Sequence, residues 1–357
     1  MKRLVSLIIC VILAFSLLSC ELNTPPTTYS NTPLSVHFID VGQGDCTLLE
    51  SNGEFVLIDS GEKEYFDAVC SYLKENGVTT LKYVIATHPH TDHIGCMKEV
   101  INTFECENFI TPETDCSTKT WLNVLNAVDK NDVNFIDPKV GDTYNFGESD
   151  FTIMGPASSF YEDYNDYSVV TKVRCSTYSF LLMGDAENQA ERDILDTTLS
   201  LKADVLKVGH HGSKTSTTPE FLEAVDPDYA VISCGKNNEY GHPHTEILSL
   251  LDDFSVKTYR TDELSTIIAR VKNFDNKAKL LIENTDSKSL IENTENDETI
   301  KEESFESSKY IGNKKSMKFH YHGCQSVDEM KPENKVALNN RDEAINNGYA
   351  PCKICNP

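Results

Sequence analysis

Three histidines and one aspartate lie within six consecutive positions of this chain, in the pattern His-x-His-x-Asp-His. They are His88, His90, Asp92 and His93. Neutral imidazole and carboxylate are ligands of zinc, manganese and iron. The preceding residues, 81–87, are typical of a buried strand, so the four side chains are expected on the loop where that strand ends. The pattern therefore predicts a metal site, and not a polar loop that happens to contain histidine.

Strand and helix patterns alternate around this motif. Residues 34–40 alternate in polarity, and 46–50 with 54–59 are predicted to form a hairpin. Further strands are predicted over 151–154, 177–183, 203–208, 229–233 and 266–271. Helices are predicted over 63–76, 93–103, 119–129, 187–196, 219–224 and 245–254. The alternation predicts a layered α/β domain over residues 34–275, with helices on the outside.

Residues 1–20 have the features of a lipoprotein signal peptide. A basic start precedes an apolar stretch over 4–18, and Leu17-Leu18-Ser19-Cys20 resembles a bacterial lipobox, in which Cys20 is lipidated. Residues 21–33 are rich in Thr, Asn, Ser and Pro, which predicts a flexible tether. An uncleaved membrane anchor is the alternative. In either case the remaining chain is expected at the extracellular face of the cytoplasmic membrane, and the lipobox interpretation predicts that a lipid anchor holds it there.

The 357-residue chain carries a formal net charge of −24. Broad capture of nucleic acid needs a basic face, so this charge argues against such capture. It does not exclude a nucleic-acid substrate that is reached through bound metal. Within residues 276–315, the segment from Glu283 to Ser308 contains nine acidic residues against Lys288 and Lys301, and Leu-Ile-Glu-Asn-Thr occurs at 281 and again at 290. Such a composition cannot bury a core, which predicts an acidic disordered linker there.

The C-terminal residues 316–357 contain a second candidate metal set, formed by His320, Cys324, Cys352 and Cys355. A Cys-x2-Cys pair with a distant His and Cys is a strong signal of a structural zinc site. The segment resembles the small Ada-type metal-binding domain, which implies one structural zinc held by these four residues. A disulfide between two of the cysteines is the alternative.

The cysteines of the central domain are predicted to be mostly buried free thiols, because several lie inside apolar runs and their number is odd. They are Cys46, Cys70, Cys96, Cys106, Cys116, Cys175 and Cys234. One disulfide, for example between Cys106 and Cys116, is left open by the sequence. A dense disulfide framework is therefore not expected, even outside the cytoplasm.

Several motifs follow one another between residues 34 and 272. They are Val36-His37-Phe38-Ile39-Asp40-Val41-Gly42-Gln43-Gly44-Asp45, Asp59 in Leu57-Ile58-Asp59-Ser60-Gly61, the His-x-His-x-Asp-His run, Asp185 in Leu182-Met183-Gly184-Asp185-Ala186, His210-His211-Gly212-Ser213 and Gly241-His242-Pro243-His244. In this order they resemble the metallo-β-lactamase superfamily, and more specifically the hydrolase domain of the ComEC/Rec2 DNA-uptake proteins. The resemblance implies an αββα sandwich with a dinuclear metal site at one edge.

Two divalent metals, zinc or manganese, are then expected in the hydrolase domain, held by two ligand sets and a bridging carboxylate. The assignments are His88 and His90 for the first metal, Asp92, His93 and His211 for the second, Asp185 as the bridge and Asp59 as the carboxylate that orients a ligand imidazole. Most members of the superfamily carry another first-metal histidine, but this chain has none from 94 to 209. The first metal is therefore expected to be open to phosphate oxygens.

The remaining polar residues of these motifs are expected to act on the substrate. The resemblance implies that His210 faces substrate phosphate instead of metal. His242 or His244 is predicted to contact substrate or to protonate the leaving group, unless their loop only starts a helix. The catalytic candidates are thus Asp92, His210, His242 and His244, and the predicted rim of the substrate site is Gln43, Asp45 and Ser213.

These features predict a metal-dependent hydrolase, most specifically an extracellular phosphodiesterase or deoxyribonuclease that acts on DNA. The first alternative is another surface hydrolase of the same fold, such as a phosphorylcholine esterase or a lactonase. The second is a non-catalytic surface binding protein, which the intact set of ligand residues disfavours. The sequence indicates no protein partner, and a monomer is expected.

Overall fold

The computed structural model describes residues 32–274, 277–285, 310–321, 324–328, 330, 334–338, 341–353 and 355. The chain divides into two compact units, one ending at Glu292 and the other starting at Asn293. The predicted signal peptide and nearly all of the predicted tether lie outside the described residues. Within the described ranges, every helix is too short or too polar to cross a membrane.

In the first unit, the described strands form two sheets. In chain order the strands are β1 (Leu34–Phe38), β2 (Thr47–Ser51), β3 (Glu54–Ile58), β4 (Thr80–Ile85), β5 (Glu105–Ile110), β6 (Asn134–Ile136), β7 (Thr143–Phe146), β8 (Ser149–Gly155), β9 (Val170–Cys175), β10 (Tyr178–Leu182), β11 (Val205–Lys207), β12 (Tyr229–Ile232), β13 (Lys257–Arg260), β14 (Ile267–Phe274) and β15 (Lys277–Asn284). One sheet has the order β15-β14-β1-β2-β3-β4-β5-β6, and the other has the order β13-β12-β11-β10-β9-β8-β7. The predicted hairpin is present, since β2 pairs with β3 antiparallel.

The helices follow the predicted positions closely. They are α1 (Phe66–Glu75), α2 (Thr91–Ile94), α3 (Met97–Thr103), α4 (Lys119–Lys130), α5 (Asn188–Leu195), α6 (Pro219–Val225), α7 (Thr245–Asp253) and α8 (Thr261–Leu264), with short 3-10 helices at Lys63–Tyr65, Asn165–Tyr167 and Gly209–Gly212. Side-chain caps begin two of them. Thr118 accepts the N–H of Trp121 at the start of α4, and Thr218 accepts that of Phe221 at the start of α6.

Alternation along the strands decides which layer each side chain meets. In β2, Leu48 belongs to the apolar cluster shared with α1, α3 and α4, whereas its neighbour Leu49 packs with residues of the second sheet. In β10, Leu181 packs against α5, α6 and α7, whereas Phe180 faces the first sheet. The layers are therefore helix, sheet, sheet and helix. This arrangement confirms the predicted αββα fold class.

One predicted helix, over 93–103, is divided in the structure into α2 and α3. In a continuous helix the carbonyl of Asp92 would accept the N–H of Cys96. That carbonyl instead accepts the N–H of Asp45 at 3.1 Å, and the N–H of Cys96 donates to the carbonyl of Gly61 at 3.2 Å. Two neighbouring loops thus satisfy the backbone groups that would have continued the helix.

The predicted acidic linker of residues 276–315 includes structured residues at both of its ends. Lys277–Asn284 is strand β15 and pairs with β14 along its whole length, and Tyr310–Asn313 is a strand of the second unit. Alternate residues of β15 face the core, where Leu280 and Ile282 are buried. Lys277, Lys279 and Glu283 occupy three of the four other positions of β15, so composition averaged over the segment hid the alternation.

The second unit contains a small sheet. Its strands are β16 (Tyr310–Asn313), β17 (Lys318–His320), β18 (Lys335–Leu338) and β19 (Ala350–Pro351), in the order β18-β16-β17-β19, with helices α9 (Gln325–Asp328) and α10 (Arg341–Asn346). Tyr310, Phe319, Leu338 and Ala344 form one of its apolar clusters. A core of this size rarely stabilises a domain alone, so a metal or covalent link is expected to support it.

None of the cysteines that the structure describes forms a disulfide, and this includes Cys106 and Cys116, which the sequence left open as a pair. Cys46 and Cys96 are buried in the apolar cluster under α1 and α3. Burial raises the pKa of the Cys106 thiol to about 12, so little thiolate forms at neutral pH. The prediction of free thiols is confirmed for these residues.

Replacement of Ile282 by alanine should lower the free energy of unfolding by about 2–4 kcal/mol, because it removes a completely buried side chain from β15. Asn273→Ala, at an exposed position of β14, is the matched control and should change it by less than about 0.5 kcal/mol. Chemical denaturation of both variants measures the difference. Equal stabilities would mean that residues 277–284 contribute no more than a linker.

Candidate metal centre

The predicted ligands follow the carboxyl ends of strands in both sheets. Asp59 follows β3, the His-rich loop follows β4, Asp185 follows β10 and the 3-10 helix Gly209–Gly212 follows β11. Thr87 connects the two sheets at this edge. Its N–H donates to Asp59 Oδ1 at 2.9 Å, and its carbonyl accepts the N–H of Val169 at 3.0 Å. Both sheets therefore deliver polar side chains to one place.

Four of these side chains converge on one point. Ligand atoms of Asp92, His93, Asp185 and His211 all lie within 4.8 Å of one another. Asp185 Oδ2 lies 3.2 Å from His93 Nε2 and 3.4 Å from His211 Nε2. Asp92 Oδ2 lies 3.3 Å from His211 Nε2. The structure thus brings together the residues predicted for the second metal and the predicted bridge.

His88 and His90 form a pair beside this cluster. His88 Nε2 faces His90 Nδ1 at 3.0 Å and lies 4.0 Å from Asp185 Oδ2. The ring centroids of His88 and His93 are 4.2 Å apart. The imidazoles predicted for the first metal therefore lie next to the carboxylate that was predicted to bridge.

Hydrogen bonds on the far side of the rings fix how two imidazoles are presented. His93 Nδ1–H donates to Asp59 Oδ2 at 2.7 Å, and His211 Nδ1–H donates to the carbonyl of Ser233 at 2.9 Å. Because a carbonyl can only accept, the proton of His211 belongs on Nδ1. Nε2 of each ring then faces Asp185. Asp59 thus lies where a carboxylate can orient a ligand imidazole.

The electrostatics of the cluster favour a bound cation. Burial by itself would raise the pKa of Asp185, but His211 and His93 hold that pKa well below its ordinary value. Burial would also lower the pKa of both imidazoles, but Asp185 and neighbouring carboxylates raise it. The carboxylates of Asp59, Asp92 and Asp185 therefore surround His93. Their combined negative charge is stabilised by positive charge at this position, which a protonated imidazole or a bound cation can supply.

Buried polar atoms test whether a metal would fit. Asp185 Oδ1 and His93 Nε2 are buried and have no hydrogen-bond partner among the described residues. Such an atom costs about 1–3 kcal/mol, and a coordinated cation would remove that cost. Imidazole nitrogen and carboxylate oxygen suit both Zn²⁺ and Mn²⁺. The residues present therefore fit a divalent metal.

An open cavity of about 450 Å³ lies over this cluster. Its lining residues are Gln43, Pro89, His90, Thr91, Asp92, Thr118, Asn165, Asp185, His210, His211, Tyr240 and His242. His210, His242 and Gln43 therefore lie where a substrate would approach. His244 lies behind His242, at 4.9 Å between ring centroids, and its Nδ1 accepts the N–H of Lys214 at 3.1 Å.

His242 differs from the buried ligands in its surroundings. It is half-buried, and burial followed by the nearby charge of His210 lowers its pKa to about 4. The imidazole is therefore neutral at neutral pH in the absence of a bound ligand. Its Nδ1 is a further buried atom without a hydrogen-bond partner in the described part of the chain.

A carboxylate that the sequence did not single out, Glu187, holds His210. Glu187 Oε1 accepts His210 Nδ1–H at 2.8 Å, the Thr215 hydroxyl at 2.7 Å and the Asn165 amide at 3.3 Å. Burial would raise the pKa of Glu187, but these hydrogen bonds hold it below its ordinary value. His210 Nε2 is left to face the cavity, 3.8 Å from Asp185 Oδ2.

Two residues of the predicted substrate rim, Asp45 and Ser213, do not line the cavity, so their predicted positions are wrong. Asp45 is buried and forms an ion pair with Lys207, whose side chain is only 2% exposed. Asp45 Oδ1 lies 3.4 Å from His211 Nδ1, behind that ring. The hydroxyl of Ser213, also buried, lies 2.9 Å from Thr215 Oγ1. Both therefore support the histidine loop from below.

Residues 39–236 match the family described as the Metallo-beta-lactamase superfamily. The chain belongs to the metallo-beta-lactamase superfamily. The match covers Asp59, the His-rich loop, Asp185 and the two histidines after β11, which are the segments that meet in the structure. The αββα sandwich seen in the structure is the fold that the resemblance to this superfamily implied.

Curated relatives place the chain in one branch of this superfamily. It is 33% identical over 256 residues to ComE operon protein 3 of Bacillus subtilis, covering 67% of this chain and 33% of the relative. It is 31% identical over 246 residues to Recombination protein 2 of Haemophilus influenzae, covering 68% and 28%. It is 26% identical over 246 residues to Competence protein ComA of Neisseria gonorrhoeae, covering 66% and 32%. The chain spans about a third of the length of these relatives, and it is a member of the metallo-beta-lactamase superfamily that is related to them.

The second unit contains its own candidate metal site. Ligand atoms of His320, Cys324, Cys352 and Cys355 lie within 4.8 Å of one another. The two thiols of the Cys-x2-Cys pair thus meet the His and Cys that precede them by some thirty residues in sequence, and none of the three cysteines forms a disulfide. This arrangement is compatible with a small metal-binding module, whose likeness to the Ada-type domain stays a prediction.

Replacement of His211 by alanine should lower the metal content of the hydrolase domain, because His211 Nε2 belongs to the convergent set. His210→Ala should keep the metal content of the wild type, since its Nδ1 is held by Glu187. Both variants are dialysed against Mn²⁺ or Zn²⁺ and analysed by inductively coupled plasma mass spectrometry. Loss of metal in His210→Ala with retention in His211→Ala would reverse the assignment.

Glu187→Ala should lower kcat roughly 10- to 100-fold without loss of metal, because it releases His210 from its orientation. Glu187→Gln retains an acceptor oxygen and should be less affected. Glu220→Ala, at an exposed position in the first turn of α6, is the matched control. Steady-state hydrolysis with parallel metal analysis separates the effects, and an unchanged kcat in Glu187→Ala would show that His210 does not depend on this carboxylate.

Proposed function

We propose that this chain is a metal-dependent phosphodiesterase that cleaves DNA outside the cytoplasmic membrane. The observation that carries the proposal is the cavity of about 450 Å³ in which a convergent set of imidazoles and carboxylates forms the floor. His210 and His242 stand on its wall, where they can contact a substrate that reaches the floor. Polar side chains of this kind suit an anionic substrate with several acceptor oxygens.

The residues of this chain prepare the site for such a substrate. A divalent cation, when bound, supplies Lewis-acid chemistry by polarising a phosphoryl oxygen and lowering the pKa of water. His93 and His211 would hold it through Nε2, because Asp59 and the Ser233 carbonyl occupy Nδ1. His210 in its protonated form would donate from Nε2 to a phosphate oxygen, while Glu187 keeps the ring in place.

The small number of protein ligands near His88 and His90 supports a phosphodiester over other substrates. The chain contains no histidine between His93 and His210, so the first metal would keep coordination positions free. Phosphate oxygens can fill such positions. A site built to hold metals without help from the substrate would carry a further ligand, as most of the superfamily does.

DNA is the proposed polymer because of the relatives. One is named a recombination protein and another a competence protein, and the sequence motifs resemble those of DNA-uptake proteins. The extracellular location rests on residues 1–20, which have the pattern of a lipoprotein signal peptide ending at Cys20. A lipid anchor would hold the hydrolase domain close to the membrane surface.

A substrate panel tests the proposal. The purified protein is incubated with Mn²⁺ or Zn²⁺ and single-stranded DNA, duplex DNA, bis-p-nitrophenyl phosphate, a phosphorylcholine ester, a lactone and nitrocefin. DNA and bis-p-nitrophenyl phosphate should be cleaved, and EDTA should abolish cleavage. Asp185→Ala should lower the rate by roughly a hundredfold or more, because it removes the central carboxylate. Asp129→Ala, at an exposed position of α4, is the control.

Other outcomes would replace the proposal. Cleavage of the phosphorylcholine ester or the lactone without cleavage of DNA would identify another surface hydrolase of this fold. Metal binding without hydrolysis of any substrate would favour a binding protein. DNA cleavage that survives in Asp185→Ala would locate the activity elsewhere.

A further inference from the structure

Three aromatic rings lead from the metal centre to the surface in nearly parallel orientation. His211 and His242 have centroids 6.2 Å apart with an angle of 29° between their planes. His242 and Tyr240 follow at 5.7 Å and 24°. His211 is buried, whereas Tyr240 is 61% exposed. The series therefore begins at a predicted ligand and ends on a ring whose outer side meets solvent.

The loop that carries Tyr240 and His242 is held in place by Asn238. The Asn238 amide donates to the carbonyl of Gly235 at 2.8 Å and to that of His242 at 2.5 Å, and its oxygen accepts the N–H of His242 at 3.0 Å. The loop is also tied to the histidine loop, since the N–H of His244 donates to Gly212 at 2.9 Å. Tyr240 is thus an exposed aromatic side chain on a preorganised support.

Beyond the metal centre, the cavity below Tyr240 offers little positive charge to hold a polyanion. Its lining includes no lysine or arginine within the described part of the chain, and the whole chain carries a net charge of −24. Proteins that bind single strands combine backbone charge with aromatic stacking, and stacking on one side chain is worth a factor of roughly 5 to 100 in affinity. When charge is scarce, stacking has to supply more of the binding.

We propose that the outer face of Tyr240 binds an unpaired nucleobase next to the phosphodiester that is cleaved. The inference rests on the proposed function and deepens it, because it names single-stranded DNA, or the frayed end of a duplex, as the substrate. Inside a duplex both faces of a base are covered by its neighbours, so only an unstacked base can reach the ring. Gln43 lies on the same cavity wall.

Gln43 adds a polar contact at this subsite. Its side-chain oxygen accepts the N–H of Gly235 at 3.1 Å, which fixes the amide at the cavity edge. The amide nitrogen then remains available to donate to a base or to a phosphate oxygen. Tyr240 would supply the stacking and Gln43 a hydrogen bond, a combination that accepts any base sequence.

Steady-state cleavage of two oligonucleotides by the metal-loaded full chain tests the proposal. One is an end-labelled single-stranded oligonucleotide, and the other has the same length and label but abasic residues throughout. Tyr240→Ala should raise KM for the first roughly 5- to 100-fold, and the penalty should vanish on the abasic chain, which has nothing to stack. Tyr240→Phe should retain the wild-type KM. Phe160→Ala removes a ring that is 71% exposed elsewhere in the domain and should change neither KM.

Each other result counts against the subsite. An equal penalty on both oligonucleotides would mean that Tyr240 only supports the loop, and a penalty in Tyr240→Phe would mean that its hydroxyl acts instead of its ring. An unchanged KM in Tyr240→Ala, or equal KM values of the wild type for single strands and covalently closed duplexes without ends, would overturn the inference while leaving DNA hydrolysis intact. If the wild type cleaves bis-p-nitrophenyl phosphate but no DNA, the proposed function fails, and the subsite fails with it.

Discussion

The carboxylate of Asp185 is buried between two sheets, and an ionised carboxylate in such a place costs several kcal/mol unless hydrogen bonds and positive charge surround it. His93 and His211 supply that charge from loops of different sheets. The backbone N–H of Asp185 is itself held by the Ser168 hydroxyl at 3.0 Å. The contacts that stabilise this edge of the sandwich are thus the contacts that assemble the ligands, so fold and chemistry depend on the same ion pairs.

The turn of residues 40–45 shows how closely the scaffold approaches these ligands. A Cβ atom on Gly44 would lie 2.3 Å from the carbonyl oxygen of Asp92, so only glycine lets the turn touch the ligand helix. The next residue, Asp45, donates its N–H to that carbonyl and directs its carboxylate to Lys207, beside His211. One turn therefore supports ligands of both sheets from behind.

Sequence predicted what is encoded locally. The spacing from His88 to His93 and the polar residues after apolar strands identified candidate ligands, which the structure brings close together, without any knowledge of their partners. The sequence did not reveal that Asp45 lies behind His211, because its partner Lys207 comes from the other sheet. A glycine-rich turn has the same sequence pattern whether it lines a substrate site or supports it from behind. Glu187 was missed because an acidic residue just before a helix is common, and only the fold brings it to His210. In β15, the alternation of buried and exposed residues was hidden by the charged residues of the surrounding segment.

His210 and His211 both have left-handed backbone conformations, with φ of 46° and 54°. Most residues lose roughly 1–2 kcal/mol there, while asparagine, aspartate and histidine tolerate it better. Replacement of these histidines by other ligand residues is therefore limited by the backbone conformation as well as by coordination chemistry. Aspartate at position 211 would be compatible with the backbone, whereas a β-branched residue would not. The range of ligand exchanges open to evolution or to an engineer is narrower than the donor atoms alone would permit.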